Sequence, residues 1–188
     1  MIRKSPVILR IVEALASGGH PGQAILQRNF PKGHTLIGQG DATANVFVIR
    51  SGIVKCFITE NNGKEYILEF QGEGEVLGEL EALCRMPGMC TAKVISAVSV
   101  YQIDKPTFMS LLAKEGDLNQ AMLELLAVRL ARTGTRASRQ QLYSLDHSLE
   151  QLLAVLEAEK VPVTKQDLAD YLGISLRSLN RLLKERNG

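Results

Sequence analysis

The stretch TKQDLADYLGISLRSLNRLLK, residues 164–184, decides how the rest of the chain is read. Thr164 followed three residues later by Asp167 is a capping box in its acidic form. The threonine hydroxyl accepts from the third helical N–H, and the carboxylate reaches back to the cap. Leu168, Ala169 and Leu172 form the buried face of the helix so begun. Gly173 stands where a tight turn needs positive φ and no side chain. Ile174 plugs the turn and Ser175 caps a second helix, in which Leu179, Leu182 and Leu183 face inward. Arg177, Ser178, Asn180, Arg181 and Lys184 are left on the other faces. The small Ala169, the glycine and the inward apolar residues let two short helices cross closely, as in a helix-turn-helix.

The chemistry of the exposed residues points the same way. Arg and Asn near the start of the second helix make bidentate contacts with guanine and adenine edges. Lys165, Gln166 and Ser178 sit where a helix N-terminus meets phosphate. A single helix-turn-helix covers one half-site, so specific binding calls for a two-fold dimer on a palindromic operator. Upstream, residues 107–145 contain no proline, and Leu118, Met122, Leu125, Leu126, Arg129 and Leu130 recur at helical spacing. The pattern predicts a short helix, a break near Gly116-Asp117 and a long helix of about 25 residues. Gly134 is a weak spot within it, costing about 1 kcal/mol relative to Ala. An apolar stripe of that length on so small a chain calls for a partner helix. A further helix over 148–159 leads to the terminal unit.

The N-terminal half has a different texture. Residues 7–16 are helical in pattern and stop at Gly18-Gly19. Short runs rich in Val, Ile, Phe and Tyr follow, punctuated by glycine. Residues 46–49 and 53–58 flank Arg50-Ser51-Gly52, which reads as a hairpin, and Asn61-Asn62-Gly63 reads as a second. Strands recur at 66–70, 93–97 and 98–103. Many short strands with regular turns indicate a barrel or sandwich.

The 188 residues carry a formal charge of +2, too small to indicate a nucleic-acid partner by itself. Its distribution is more informative. Residues 60–81 hold seven acidic side chains against Lys64 alone, whereas residues 160–188 hold six basic against three acidic. Cys56, Cys84 and Cys90 are an odd number without repeating spacing, which argues for a reducing compartment, the cytoplasm. No stretch reaches the roughly 18 apolar residues of a membrane span. His20, His34 and His147 are scattered and lack metal-ligand spacing. No nucleophile–base pairing or phosphate-loop glycine pattern marks an enzyme.

With these motifs in order, residues 20–188 resemble the family of the cyclic-AMP receptor protein and the fumarate-nitrate regulator, the Crp/Fnr family. The resemblance is carried by Phe30-Pro-Lys-Gly33, Gly40-Asp41, residues 46–52, Asn62-Gly63-Lys64, Gly74, residues 76–80 and the terminal helix-turn-helix. It implies an α+β chain: a jelly-roll, cyclic-nucleotide-binding-like β-barrel (1–105), a dimerisation helix region (106–146) and a winged helix-turn-helix (147–188). It also implies a homodimer and DNA and RNA polymerase as partners. Arg177, Asn180 and Arg181 fall on the family's base-reading positions. The family continues into a two-strand wing, and this sequence stops at Gly188, so the wing is expected to be missing.

The resemblance further implies an effector cassette at Gly78, Glu79, Leu80, Cys90, Thr91 and Ala92, with Thr135 near the purine position. In the family an arginine neutralises the cyclic phosphate. Cys90 stands in its place, and losing such a contact typically costs a few kcal/mol. Cyclic AMP is therefore not the expected effector; another small effector, or none, is. Cys84 and Cys90, both on the cassette, are candidates for a thiol switch. The expected function is a transcription regulator; the alternative is a regulatory module acting on a protein partner, which would lack the basic recognition helix.

Overall fold

The computed structural model describes residues 2–18 and 25–186; Gly19, His20 and the closing Asn187-Gly188 lie outside the described residues. Among the described residues the strands are β1 (Ile2–Arg3), β2 (Ile25–Phe30), β3 (Thr35–Ile37), β4 (Asn45–Ser51), β5 (Val54–Thr59), β6 (Glu65–Gln71), β7 (Val76–Leu77), β8 (Thr91–Val94) and β9 (Val98–Asp104). They form two sheets, ordered β1-β6-β5-β8-β3 and β2-β9-β4-β7. Helix α1 (Pro6–Ser17) precedes β2, and α2 (Glu79–Leu83) lies between β7 and β8. Helices α3 (Lys105–Lys114), α4 (Gly116–Leu142), α5 (Leu145–Ala158), α6 (Lys165–Leu172) and α7 (Leu176–Arg186) complete the chain. This is the α+β architecture anticipated, with a barrel-like β unit, a long helix and C-terminal helices.

Asn61-Asn62-Gly63 closes a true hairpin between the antiparallel β5 and β6, with Gly63 at φ 76°. Arg50-Ser51-Gly52 does not. Strand β4 pairs with β7 and β9, whereas β5 pairs with β6 and β8, so this turn carries the chain from one sheet to the other. The reason is in the burial. Val46 through Ile49 are all buried, because β4 is covered on both faces, and a two-stranded ribbon would leave one face wet. Gly52, at φ 89°, makes the corner; a Cβ there would sit 2.3 Å from the Ala97 carbonyl oxygen.

Three apolar clusters organise the packing. Between the sheets lie Ile37, Phe47, Ile49, Val54, Cys56, Leu77, Ala92, Val94, Val98 and Val100. Against the outside of the four-stranded sheet, α1, α3 and the start of α4 bury Ile8, Val12, Phe108, Leu111, Leu118 and Met122. Against the outside of the five-stranded sheet, Phe57, Ile67 and Phe70 meet Leu149 and Leu152 of α5, Leu168 and Ala169 of α6, and Leu179 of α7. The C-terminal helices thus share a core with the β unit. Among the described residues, no helix is long and apolar enough to cross a membrane.

Helix α4 runs 27 residues from a break at Glu115. Its first turns bury Leu118, Ala121, Met122 and Leu125 within the chain, so part of the stripe assigned to a partner is satisfied internally. Leu123 and Leu130 remain 59% and 76% exposed.

Candidate functional site

Two regions hold the residues singled out from the sequence. The first is the α6–α7 unit. The capping box forms as read: Asp167 N–H donates to the Thr164 hydroxyl, and the Thr164 N–H donates to the Asp167 carboxylate at 2.8 Å. Gly173 takes φ 69° and ends α6. The Ser178 N–H donates to Ser175 Oγ at 3.1 Å, capping α7. Leu179 is fully buried and anchors α7, while Arg177, Asn180, Arg181 and Lys184 are exposed. Lys165 is also exposed, and Gln166 donates to Asp170 Oδ1 at 2.7 Å. Ser175 is exposed and Ser178 half-buried.

This unit is fastened to the β unit by two polar joints that sequence reading missed. Lys55 Nζ of β5 donates to Asp167 Oδ1 at 2.7 Å, with both side chains largely buried. Burial pushes the Asp167 carboxyl up, but the hydrogen bonds from Lys55 and Thr164 outweigh it and hold the group below its ordinary value. The Arg136 guanidinium of α4 lies over the rings of Tyr66 and Tyr171, 4.9 and 3.9 Å from their centroids. It donates to the carbonyls of Ile67, Leu68 and Tyr171. One side chain thereby joins α4, β6 and α6.

The second region is a cavity of about 900 Å³, lined among others by Cys56, Glu79, Cys90, Arg129 and Thr135. Gly78 adopts φ 89°, and a Cβ there would approach the Asn45 carbonyl to 2.7 Å, so only glycine fits. Glu79 is buried at the start of α2. Leu80 is half-buried and Ala92 buried. The Thr91 hydroxyl accepts from the Gln39 N–H at 3.2 Å. Thr135 is exposed and donates to the Ala131 carbonyl at 3.0 Å.

Arg129, read from the sequence as part of the helical stripe, points into this cavity. It donates to Glu79, to Glu75 at 2.6 Å and to the Val76 carbonyl at 2.9 Å. Burial pushes the Glu79 carboxyl up, and the nearby guanidinium only partly offsets this. Burial alone would lower the Arg129 value, but the two carboxylates outweigh it and raise it. The available signal was the acidic excess of residues 60–81, whose buried members require a cation from elsewhere. Cys90 is half-buried and packs against the interior cluster that holds the buried Cys56, whereas Cys84 is exposed. The thiol neighbour of Cys90 is therefore Cys56, across the β5–β8 pairing, and not Cys84.

Comparison with known proteins places this geometry. The cyclic nucleotide-binding domain family matches residues 27–115. The chain is 26% identical over 173 residues to the CRP-like cAMP-activated global transcriptional regulator of Mycobacterium tuberculosis, covering 84% of this chain and 75% of that protein. It is 24% identical over 172 residues to the fumarate and nitrate reduction regulatory protein of Yersinia pestis, covering 85% and 68%. Among solved structures it resembles the c-di-GMP responsive global regulator CLP of Xanthomonas campestris, with TM-score 0.77, 21% identity and coverage of 87% and 86%. FixK2 of Bradyrhizobium japonicum gives TM-score 0.74 at 17% identity, covering 87% and 85%.

Residues 27–115 form a cyclic nucleotide-binding domain, and over 84–85% of its length the chain is similar to regulators of the Crp/Fnr type. Several arginines line the cavity, and the one that meets Glu79 is Arg129 of α4, bonded to both Glu75 and Glu79, while Cys90 holds the position where the sequence reading looked for a cassette arginine.

Proposed function

We propose that this Crp/Fnr-family transcription regulator binds operator DNA as a homodimer through α7. The reading is carried by one observation: α7 is anchored by fully buried Leu179 and turns Arg177, Asn180, Arg181 and Lys184 outward. Arg177, Asn180 and Arg181 read base edges, and Lys184, Lys165, Gln166, Ser175 and Ser178 meet the phosphates. The dimer forms along α4, where Leu123, Ala127, Leu130, Gly134 and Ala137 follow one another at spacings of four and three on an exposed face. Gly134, read above as a weak spot, lies on this face; a Cβ there would meet nothing within 4 Å inside the chain.

The effector cavity takes a small ligand other than cyclic AMP. A cyclic phosphate at the Gly78–Ala92 cassette would meet a thiol at Cys90 where a guanidinium is needed, with Arg129 already paired with Glu75 and Glu79, and with Arg132 and Arg139, two further α4 arginines of the lining, exposed. Selection of bound duplexes from a random pool by the full chain tests the DNA reading. The expected outcome is a two-fold symmetric consensus. Arg181→Ala should lose about 1–3 kcal/mol of discrimination at one base position. Lys184→Ala should weaken all sequences alike and lower the salt slope by about one. Recovery of no consensus, with salt-insensitive binding, would overturn it.

A further inference from the structure

Strand β5 presents different chemistry on its two faces. Val54 and Cys56 point between the sheets and join the interior cluster. Lys55 and Phe57 point the other way, where Lys55 pairs with Asp167 of α6 and Phe57 packs in the cluster that holds Leu168 and Leu179. Alternation along the strand makes this unavoidable, since successive side chains project to opposite faces. On the inner face, Cys56 stands opposite Ala92 of β8. Cys90 is two residues before Ala92 and on the same face, so the thiols of Cys56 and Cys90 come together on the cavity wall.

The two thiols are not equivalent. Cys56 is buried and Cys90 is half-buried at the cavity surface. The neighbouring Cys56 thiol lowers the Cys90 thiol despite burial, while Cys56 is pushed up by that same neighbour and by burial. Cys90 is therefore the more readily deprotonated of the two sulfurs, and the less buried one that meets a molecule entering the cavity. Cys56 is the proton-bearing neighbour positioned to capture whatever Cys90 becomes.

We infer that Cys56 and Cys90 form a dithiol that a hydroperoxide entering the cavity oxidises to an intrachain disulfide, and that β5 conveys the change to the helix-turn-helix unit. The regulatory half of this inference rests on the DNA-binding reading above; the chemistry does not. In the first step the Cys90 thiolate attacks the terminal oxygen of ROOH, the O–O bond breaks, and the alcohol ROH leaves after taking up a proton. Cys90 is then a sulfenic acid. In the second step the Cys56 sulfur attacks Cys90 Sγ, an S–S bond forms, and the hydroxyl leaves as water with the Cys56 proton. Two thiols lose two electrons and two protons, and the peroxide gains them as alcohol and water. The bond draws β5 and β8 together at Cys56, next to both Lys55 and Phe57.

The full chain, fully reduced, is treated with hydrogen peroxide, blocked with an alkylating agent and mapped by non-reducing peptide mass spectrometry. The expected result is an intrachain peptide linking Cys56 to Cys90, with two of the three thiols lost and Cys84 still alkylated. Cys84→Ser should leave the cross-link intact, and Cys56→Ser should abolish it and let Cys90 proceed to sulfinic acid. A link involving Cys84, a link between chains, or three alkylatable thiols after treatment would overturn the dithiol. Hydrogen exchange at residues 165–172 reads the relay. Oxidation should accelerate exchange there in the parent chain and leave Cys56→Ser unchanged; equal rates in the two redox states would overturn the relay. Neither readout uses DNA, so failure of operator binding is seen separately.

Discussion

Replacing Arg129 by methionine removes the cation that is paired with both Glu75 and Glu79. The three side chains are 13%, 2% and 4% exposed, so the carboxylates stay buried when their partner goes. Breaking a buried pair from one side costs about 3–5 kcal/mol, and at roughly 2–4 °C per kcal/mol for a chain this size the melting temperature should fall by about 6–20 °C. The loss should depend on pH. Burial already raises Glu79, so its protonated form favours the folded state, and that contribution disappears as pH rises from the ordinary 4.5 through the folded value. Without Arg129 the folded value moves higher still, and the destabilisation of Arg129→Met should be smaller at pH 5 than at pH 8. Thermal unfolding of parent and variant at fixed protein concentration and both pH values is the assay. Glu75→Gln with Glu79→Gln in the Arg129→Met background should recover much of the loss, because uncharged amides need no counter-charge. A variant within 1 kcal/mol of the parent at both pH values would refute the reasoning.

Four further outcomes are expected. Leu130→Glu, at a position 76% exposed, should leave the chain folded but give a monomeric mass by light scattering; a persistent dimer would move the interface elsewhere. Asp167→Asn keeps the shape but loses the ion pair with Lys55, and should cost about 1.5–3 kcal/mol in urea unfolding. In the parent the depressed Asp167 contributes its full stabilisation above the ordinary value of 3.8 and loses it as pH falls through the lower folded value, so residues 165–172 should lose exchange protection in strong acid; protection unaffected by acid would count against the pair. Calorimetry with cyclic AMP should show no tight binding, and a submicromolar Kd would overturn the effector reading.

The helix-turn-helix was legible in the sequence because its determinants are local. Thr164, Asp167, Gly173 and Ser175 each act on a group three or four residues away, and the helix and turn geometry they imply is present. The hairpin at Gly63 was legible for the same reason. The turn at Gly52 misled, because a tight turn says that the chain reverses but not which sheet receives it. Arg129 and Arg136 were illegible as site residues, since helical spacing shows which residues share a face but not what that face meets. The Cys56–Cys90 contact depends on β8 lying beside β5 across 34 residues of chain, and no local pattern encodes that order. The double duty of Asp167, as cap and as partner of Lys55, was half visible. The cap is three residues away; the lysine is 112 residues away.

Arg136 has a mechanical consequence. Its guanidinium is bonded at once to carbonyls of β6 and of α6 while its backbone belongs to α4. Three bodies pinned at one point lose the freedom to slide past one another separately. While that pin holds, a roll of the long helix and a tilt of the reading head are a single coordinate, and an effector that turns either one turns both.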